Sequence, residues 1–411
     1  MPNRPQITLG FLPLLDSAIL VVAVERGFAS DENLDLRLVR ETSWTQVRDR
    51  VLMGQFAGAQ MPGPLLIGSN LGLAPLAVPM VAPMALGLGG NAIVIAGPIH
   101  DEMKEVGLSD DLDPAQAGAA LAAVVRRRRA IGSPRLRLAV GHRLSGANLA
   151  LRYWLAASGI HPIGDVETIS GEPAPVPVAL SNGMIDGCCV GEPWASLAVE
   201  RGQACIVSTT SAIWRSGPDK VLGLSEPWVE ANPLLLQALL RALYRAAQWC
   251  ANPANIEELA GVLAARQYLD VRGELLLPGL TGILGVEAGR VVTTTDFVQF
   301  EKKAATFPWQ SHALWFYSQM VRWGDCAHHP LHVAIARDSY RPDLYRQALK
   351  PVFAPMPGAN LKVEGALPEA RDVGAANGRM VLGPDGFFDR GLFDPDRLDD
   401  YIAGQSPTSI A

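Results

Sequence analysis

At 411 residues, 49% of them apolar, the chain is too long for one hydrophobic core and rich enough in core-forming side chains to fold without staples, so two lobes or domains are expected. A formal net charge of −6 excludes the basic footprint of a direct nucleic-acid binder. Five cysteines (Cys188, Cys189, Cys205, Cys250, Cys326) form an odd count without regular spacing, which argues against a disulfide framework and suits a reducing compartment.

In chain order, QITLGFLPL (6–14) reads as a strand entering a loop. Arg4 ahead of an apolar run imitates a secretory signal, but Pro13 and Asp16 interrupt the run and no small-x-small cleavage site follows, so a cytoplasmic protein is expected. DSAILVVAVERGFAS (16–30) has a helical pattern, LDLRLVRE (34–41) is a strand, and TSWTQVRDRVLMGQF (42–56) is a second helix. Residues 51–100 carry no Asp, Glu, Lys or Arg, and the stretch 70–97 is long enough to span a bilayer. Pro75, Pro79 and Pro83, with Gly72, Gly87, Gly89 and Gly90, break any spanning helix, so buried loops, short helices and strands are expected there, with no membrane contact. GNAIVIAG (90–97), RLRLAVGH (135–142), DVETISG (165–171), GCCVG (187–191) and ACIVSTT (204–210) continue the strands, and their alternation with helices points to parallel α/β layers. SGANLALRYWLAASGI (145–160) is the clearest helix, with Ser145 as its cap and Gly159 as its stop. Pro233 opens another in NPLLLQALLRALYRAAQWC (232–250), and GPDGFFDRGLFDPDRLDDYIAG (383–404) forms a loop-rich ending with a short last helix.

Several features carry possible chemistry, each beside a plainer reading. The run Arg126 to Arg129 is either a solvated helix end, favoured by the macrodipole, or a docking patch for an acidic surface. The helix start at Ser145 presents free amide groups, and Ser145 and Asn148 add side-chain donors, so an anion fits there if the end opens into a cleft. Lys220, after turn residues in GPDKVLG, is a surface lysine or a cleft ammonium, and Trp44 is core or a ligand wall. The group Cys326, His328, His329 and His332 in CAHHPLH holds zinc-type ligands in a spacing that matches no strong zinc pattern, so no metal or other cofactor is expected. Cys188 and Cys189 alternate faces if they lie on a strand, so at most one points into a site; with no CxxC motif and no adjacent histidine, an inert buried thiol is favoured. There is no Walker loop and no GxSxG, and the glycines of LGLGGNAI precede a strand where a dinucleotide fingerprint follows one.

Taken together, GFLPLLDSAILVVAVERGF, ETSWTQVRDRVLMGQFAGAQM, LGLGGNAI, LRYWLAASGI, NGMIDGCCVGEPW, PDKVLG, AAQWCANPANIEELA, WQSHALWFYSQMVRWG and FFDRGLFDP resemble, in order and over nearly the whole chain, the NrtA/CmpA family of nitrate- and bicarbonate-binding proteins. The resemblance implies no enzyme but a periplasmic-binding-protein-like type II fold: two α/β lobes with a ligand cleft between them, divided as 1–94 (first lobe), 95–207 (second lobe) and 208–411 (completion of the first lobe, with a loop-rich extension). It also implies that Trp44 covers the ligand, that Asn91 replaces a cleft glutamine, that Lys220 pairs with the anion, and that Val190 and Gly191, with Pro173 nearby, form the backbone wall. A flat trigonal anion suits a fixed positive charge, a helix N-terminus and amide donors. The family's nitrate-binding histidine has its counterpart at Ala147, with His142 close in sequence. Relatives without a signal peptide include the cytoplasmic nitrate/nitrite sensor NasS, which holds an ANTAR-type antiterminator (NasT-like), and this chain is expected to act in that way. The alternatives are the binding component of a nitrate or bicarbonate ABC transporter and an enzyme resembling thiamine-pyrimidine synthases.

Overall fold

The computed structural model describes residues 4–405. Its framework is built from β1 (Gln6–Phe11), β2 (Asp35–Arg40), β3 (Gly58–Pro62), β4 (Met80–Ala85), β5 (Leu88–Gly89), β6 (Asn91–Ala96), β7 (Leu136–Val140), β8 (Val166–Ser170), β9 (Gly187–Gly191), β10 (Ala204–Thr209) and β11 (Lys220–Ser225). One five-stranded sheet has the order β2-β1-β3-β11-β4 and the other β10-β6-β9-β7-β8. This is the expected fold of two α/β lobes, with one difference: the sheets are mixed. β11 runs antiparallel to both β3 and β4, and β6 runs antiparallel to both β9 and β10. Both β6 and β11 follow a crossing between lobes, so each enters its sheet from the edge that the neighbouring parallel strands leave.

The chain leaves the first sheet through Gly87, Gly89 and Gly90, whose φ values are 113°, 73° and 85°. A Cβ at Gly89 would stand 2.3 Å from the carbonyl oxygen of Phe297, so both the backbone conformation and the space demand glycine. That is the role of the glycines in LGLGGNAI. The expected lobe boundary at residue 94 falls inside β6, which belongs whole to the second sheet. In the last third of the chain, the hairpin of Ile283–Glu287 and Arg290–Thr293 packs on β10 and on the helix Trp194–Glu200 of the second lobe.

The helix Ala18–Glu25 is apolar on nearly all sides because it is enclosed: it packs on the helix Pro233–Cys250, and Val21 and Val22 lie fully buried in one core cluster with Leu239, Leu240 and Leu243. The charge-free stretch becomes β3, β4, β6 and the short buried helix Gly63–Gly68. Among the described residues no helix is long and apolar enough to cross a membrane.

Register fixes where the lobes meet. Lys220 opens β11 opposite Pro62 at the end of β3, and Asn91 opens β6 opposite Gly191 at the end of β9. The carboxyl ends of the parallel strands in each sheet therefore share an edge with the first residue of an incoming antiparallel strand. These edges face one another: the Leu15 N–H donates to the Glu192 carbonyl at 2.8 Å, and the Trp194 indole N–H donates to the Pro13 carbonyl at 3.0 Å. Ligand sites in open α/β sheets form beyond such strand ends.

Candidate functional site

Lys220 is only 5% exposed. Its ammonium pairs with Asp219 and lies 3.3 Å from the Asp16 carboxylate and 5.3 Å from the centre of the Trp44 ring. The Asn91 amide donates to Asp219 Oδ2 at 2.8 Å and to the Gly89 carbonyl at 3.5 Å. Gln60, from β3, donates to Asp16 and accepts the Leu12 N–H at 2.9 Å, fixing the loop after β1. Burial alone lowers the affinity of Lys220 for its proton, but Asp16 and Asp219 outweigh it and raise the pKa above the ordinary value, so the charge is kept. Burial pushes Asp16 up; Lys220 pulls it back, and Asp219 adds to the rise.

Trp44 opens the helix Trp44–Leu52 beyond β2 and is 3% exposed. A Cβ at Gly141 would stand 3.1 Å from its indole nitrogen and 3.7 Å from Pro173 Cγ, so Trp44 of the first lobe, Gly141 and Pro173 of the second come together. Val190 and Gly191 end β9, and a Cβ at Gly191 would meet Leu14 Cδ2 at 3.1 Å and Asn91 Oδ1 at 3.2 Å. The bare backbone at Gly191 thus makes room for Asn91 and the facing loop.

Ser145 caps its helix as expected, and the side-chain groups of Ser145 and Asn148 that were offered to an anion are engaged within the chain. The Ser145 hydroxyl donates to the His142 carbonyl at 2.8 Å and accepts the Asn148 N–H at 3.1 Å, while the Asn148 side chain donates to the Arg143 carbonyl at 2.6 Å. Capping the helix Gly146–Ala157 uses these groups, because an uncapped helix start leaves amides without partners. The N-terminus itself abuts Asp219: a Cβ at Gly146 would stand 2.6 Å from Asp219 Oδ1, an oxygen that is buried and has no hydrogen-bond partner. The protein's own carboxylate therefore stands where the ammonium, the Asn91 amide and the helix dipole converge. Next to it, a cavity of about 20 Å³, the size of a water molecule, is lined by Asn91, Gly146, Tyr153, Trp214 and Asp219.

Asp16, Gln60, Asp219, Arg48 and Tyr340 were not singled out by sequence. A lone acid in LLDSAIL and the acid beside Lys220 in PDK were the available signals for the two carboxylates. Arg48 stands one helical turn after Trp44 and is nearly buried; its charge, after burial itself and ahead of Arg143, drives His142 down to about 4. His142 therefore sits at the lobe interface as a neutral imidazole, accepting the Leu144 N–H at 3.0 Å. Tyr340, from the last third of the chain, keeps a buried hydroxyl without a partner, and the field of Asp219 adds to burial in raising its pKa.

The remaining candidates resolve simply. Cys188 and Cys189 lie buried on β9, burial raises both thiols, and Cys189 is the one that feels Asp219 and Lys220. Arg127 pairs with Glu102 and Glu105, Arg128 with Glu102, and Arg129 with Asp165, as a helix end would. In the CAHHPLH stretch His328 is held between Tyr317 and Asp399, and His332 bonds to the Ala327 carbonyl.

A family model described as the NMT1-like family matches residues 1–264. The nitrate/nitrite binding protein NrtA of Synechococcus elongatus is 30% identical over 412 residues, covering 98% of this chain and 86% of that protein. The nitrate import ATP-binding protein NrtC of Synechocystis is 34% identical over 85% of this chain, which spans 50% of that longer protein. Among solved structures, the periplasmic nitrate-binding protein NrtA from Synechocystis superposes with a TM-score of 0.84 at 26% identity, covering 98% of this chain and 99% of that one. With a family model over residues 1–264, a relative 30% identical over almost its full length and a superposing nitrate-binding structure, the chain belongs to the NMT1-like family and to the NrtA/CmpA group of binding proteins.

Proposed function

We propose that the chain binds nitrate or nitrite between its lobes and acts as a sensor, releasing an ANTAR-type antiterminator when the anion closes the cleft. The observation that carries the binding half is the convergence of Lys220, Trp44 and Asn91 at the facing sheet edges, each nearly fully buried. A buried ammonium that keeps its proton, a flat indole and oriented amides suit a flat monovalent oxyanion. Arg48, nearly buried one helical turn after Trp44, is ion-paired with Asp49 at 2.6 Å. The similarity to nitrate-binding relatives supports the same ligand.

The sensor half rests on the five unpaired cysteines, four of them buried, which suit a reducing compartment. A second reading, the binding component of an import system, draws on the relatives themselves, whose names describe a periplasmic nitrate-binding protein and a nitrate-import ATP-binding protein. Thiol chemistry of the pyrimidine-synthase kind has little footing, since Cys188 and Cys189 are buried with raised pKa values.

Calorimetric titration with nitrate, nitrite and bicarbonate tests the binding half, and absence of heat with all three overturns it. Capture of an ANTAR-domain protein by the ligand-free chain, with release by nitrate, is expected for the sensor. Anion binding without such capture would favour the transport reading.

A further inference from the structure

At the far end of the second lobe, three side chains from separate parts of the chain converge. His100 lies on the helix Gly97–Glu105, Cys205 near the start of β10, and Glu287 at the end of the first strand of the Ile283–Thr293 hairpin. One donor atom from each lies within 4.8 Å of the others. Cys205 pairs with Ile95 near the end of β6, whereas the cleft edge is marked by Asn91 at its start, so this cluster is separate from the anion site.

We propose that His100, Cys205 and Glu287 form a binding site for a divalent transition metal of the zinc class. The second observation is the imidazole: His100 is 1% exposed, and its Nε2 has no hydrogen-bond partner. A buried polar atom left without a partner is costly, and a cation that accepts its lone pair removes that cost. Burial, then Lys104 and Arg290, hold His100 below its ordinary pKa, so the ring is neutral and able to ligate.

One imidazole nitrogen, one sulfur and one carboxylate oxygen form a donor set for zinc, cobalt or nickel rather than for calcium or magnesium. Three protein ligands leave a fourth position for water. Binding releases the thiol proton, so a divalent ion adds one net positive charge to the group. The surroundings accept it: Lys104 and Arg290 face three carboxylates, those of Glu287, Asp110 and Asp101. Lys104 holds Glu287 at 2.5 Å and is 41% exposed, so its ammonium can swing into solvent when the metal takes the carboxylate.

The test uses the full chain stripped with a chelator and titrated with cobalt, then with zinc in competition. The background is Cys326→Ser, which removes the half-buried thiol of the histidine-rich stretch. A thiolate-to-cobalt charge-transfer band in the near ultraviolet is expected to saturate at one equivalent and to disappear when zinc is added. Cys205→Ser is expected to abolish the band, and Glu287→Gln, at a partly exposed position, to weaken zinc binding at least about tenfold with circular dichroism unchanged. Absence of the band at stoichiometric cobalt, its survival in Cys205→Ser, or unaltered zinc affinity in folded Glu287→Gln would overturn the assignment.

Discussion

Replacing Asp16 by asparagine is expected to tighten anion binding and to remove its dependence on pH. With both carboxylates ionised, Lys220, Asp16 and Asp219 carry one net negative charge, and an entering nitrate adds another. Two like charges about 4 Å apart at an effective dielectric of about 20 repel by about 4 kcal/mol. Loss of the ion pair between Asp16 and Lys220 takes back part of this, leaving a gain on the order of 10- to 100-fold in affinity. Because the pKa of Asp16 is raised, in part by Asp219, its carboxyl takes up a proton more readily than an ordinary aspartate, and an adjacent anion strengthens that tendency. In the parent chain, nitrate affinity should therefore rise as pH falls, by up to about tenfold per pH unit with one proton taken up. His142 titrates near 4 and stays neutral above about pH 5, and Glu192, pushed up to about 7 at the same lobe junction, is removed by working in a Glu192→Gln background, so calorimetry between about pH 5 and about pH 8 in that background follows Asp16. A parent affinity that is flat over this window, or an Asp16→Asn variant that keeps the parent slope, would refute the reasoning.

Glu192, pushed up to about 7 by burial against two bonds from Ser196, should destabilise the fold when ionised. Its raised pKa means that stability is full below the unfolded value of 4.5 and is lost as pH rises through 7, so Glu192→Gln should gain about 3 kcal/mol in denaturant melts near pH 8 and nothing near pH 4.5. Glu364 is the opposite case: burial opposes its charge, but Lys362 and His312 hold it down to about 2. Its contribution is present above 4.5 and lost as pH falls through 2; Glu364→Gln should flatten the acid limb of the stability curve and cost roughly 3–5 kcal/mol at neutral pH, read by the same melts. Gly58→Ala would place a Cβ 2.2 Å from Leu224 Cδ2 and 2.5 Å from the Gly223 carbonyl oxygen, forcing β3 from β11. A loss of roughly 2 kcal/mol or more is expected in thermal melts, with weaker nitrate binding because Lys220 rides on β11.

The lobes were legible because β1, β2, β6, β7, β8, β9 and β10 each present a short apolar run between turn residues, a pattern that survives without tertiary information. β3 and β4 were not, since GAQMP is five residues bounded by glycine and proline and MVAPMA carries a proline inside an unbroken apolar run. The antiparallel direction of β6 and β11 leaves no trace in composition, because a strand buried on both faces reads alike in either sense. From the residues alone Lys220 reads as surface or cleft and Trp44 as core or ligand wall; their cleft places, with those of Asn91 and Gly191, are implied by the family resemblance. Ser145 was legible as a helix cap, but whether its hydroxyl and the Asn148 amide also face an anion was not, because only the paths of their hydrogen bonds separate the two uses. Asp16 and Asp219 were obscured because acids beside turns are ordinarily solvated, and only the packing of one lobe on the other encloses them.

Asn91 at the start of β6 and Asp219 just before β11 stand where the chain enters each sheet from the other lobe, and one hydrogen bond of 2.8 Å joins them. That bond ties the two connecting segments to one another across the lobe junction. Asn91 already has its amide hydrogens engaged with Asp219 and the Gly89 carbonyl, so it must loosen one grip to hold a ligand. Occupancy is thereby reported by this side chain, and labelling its nitrogen would let ligand arrival be followed in a spectrum.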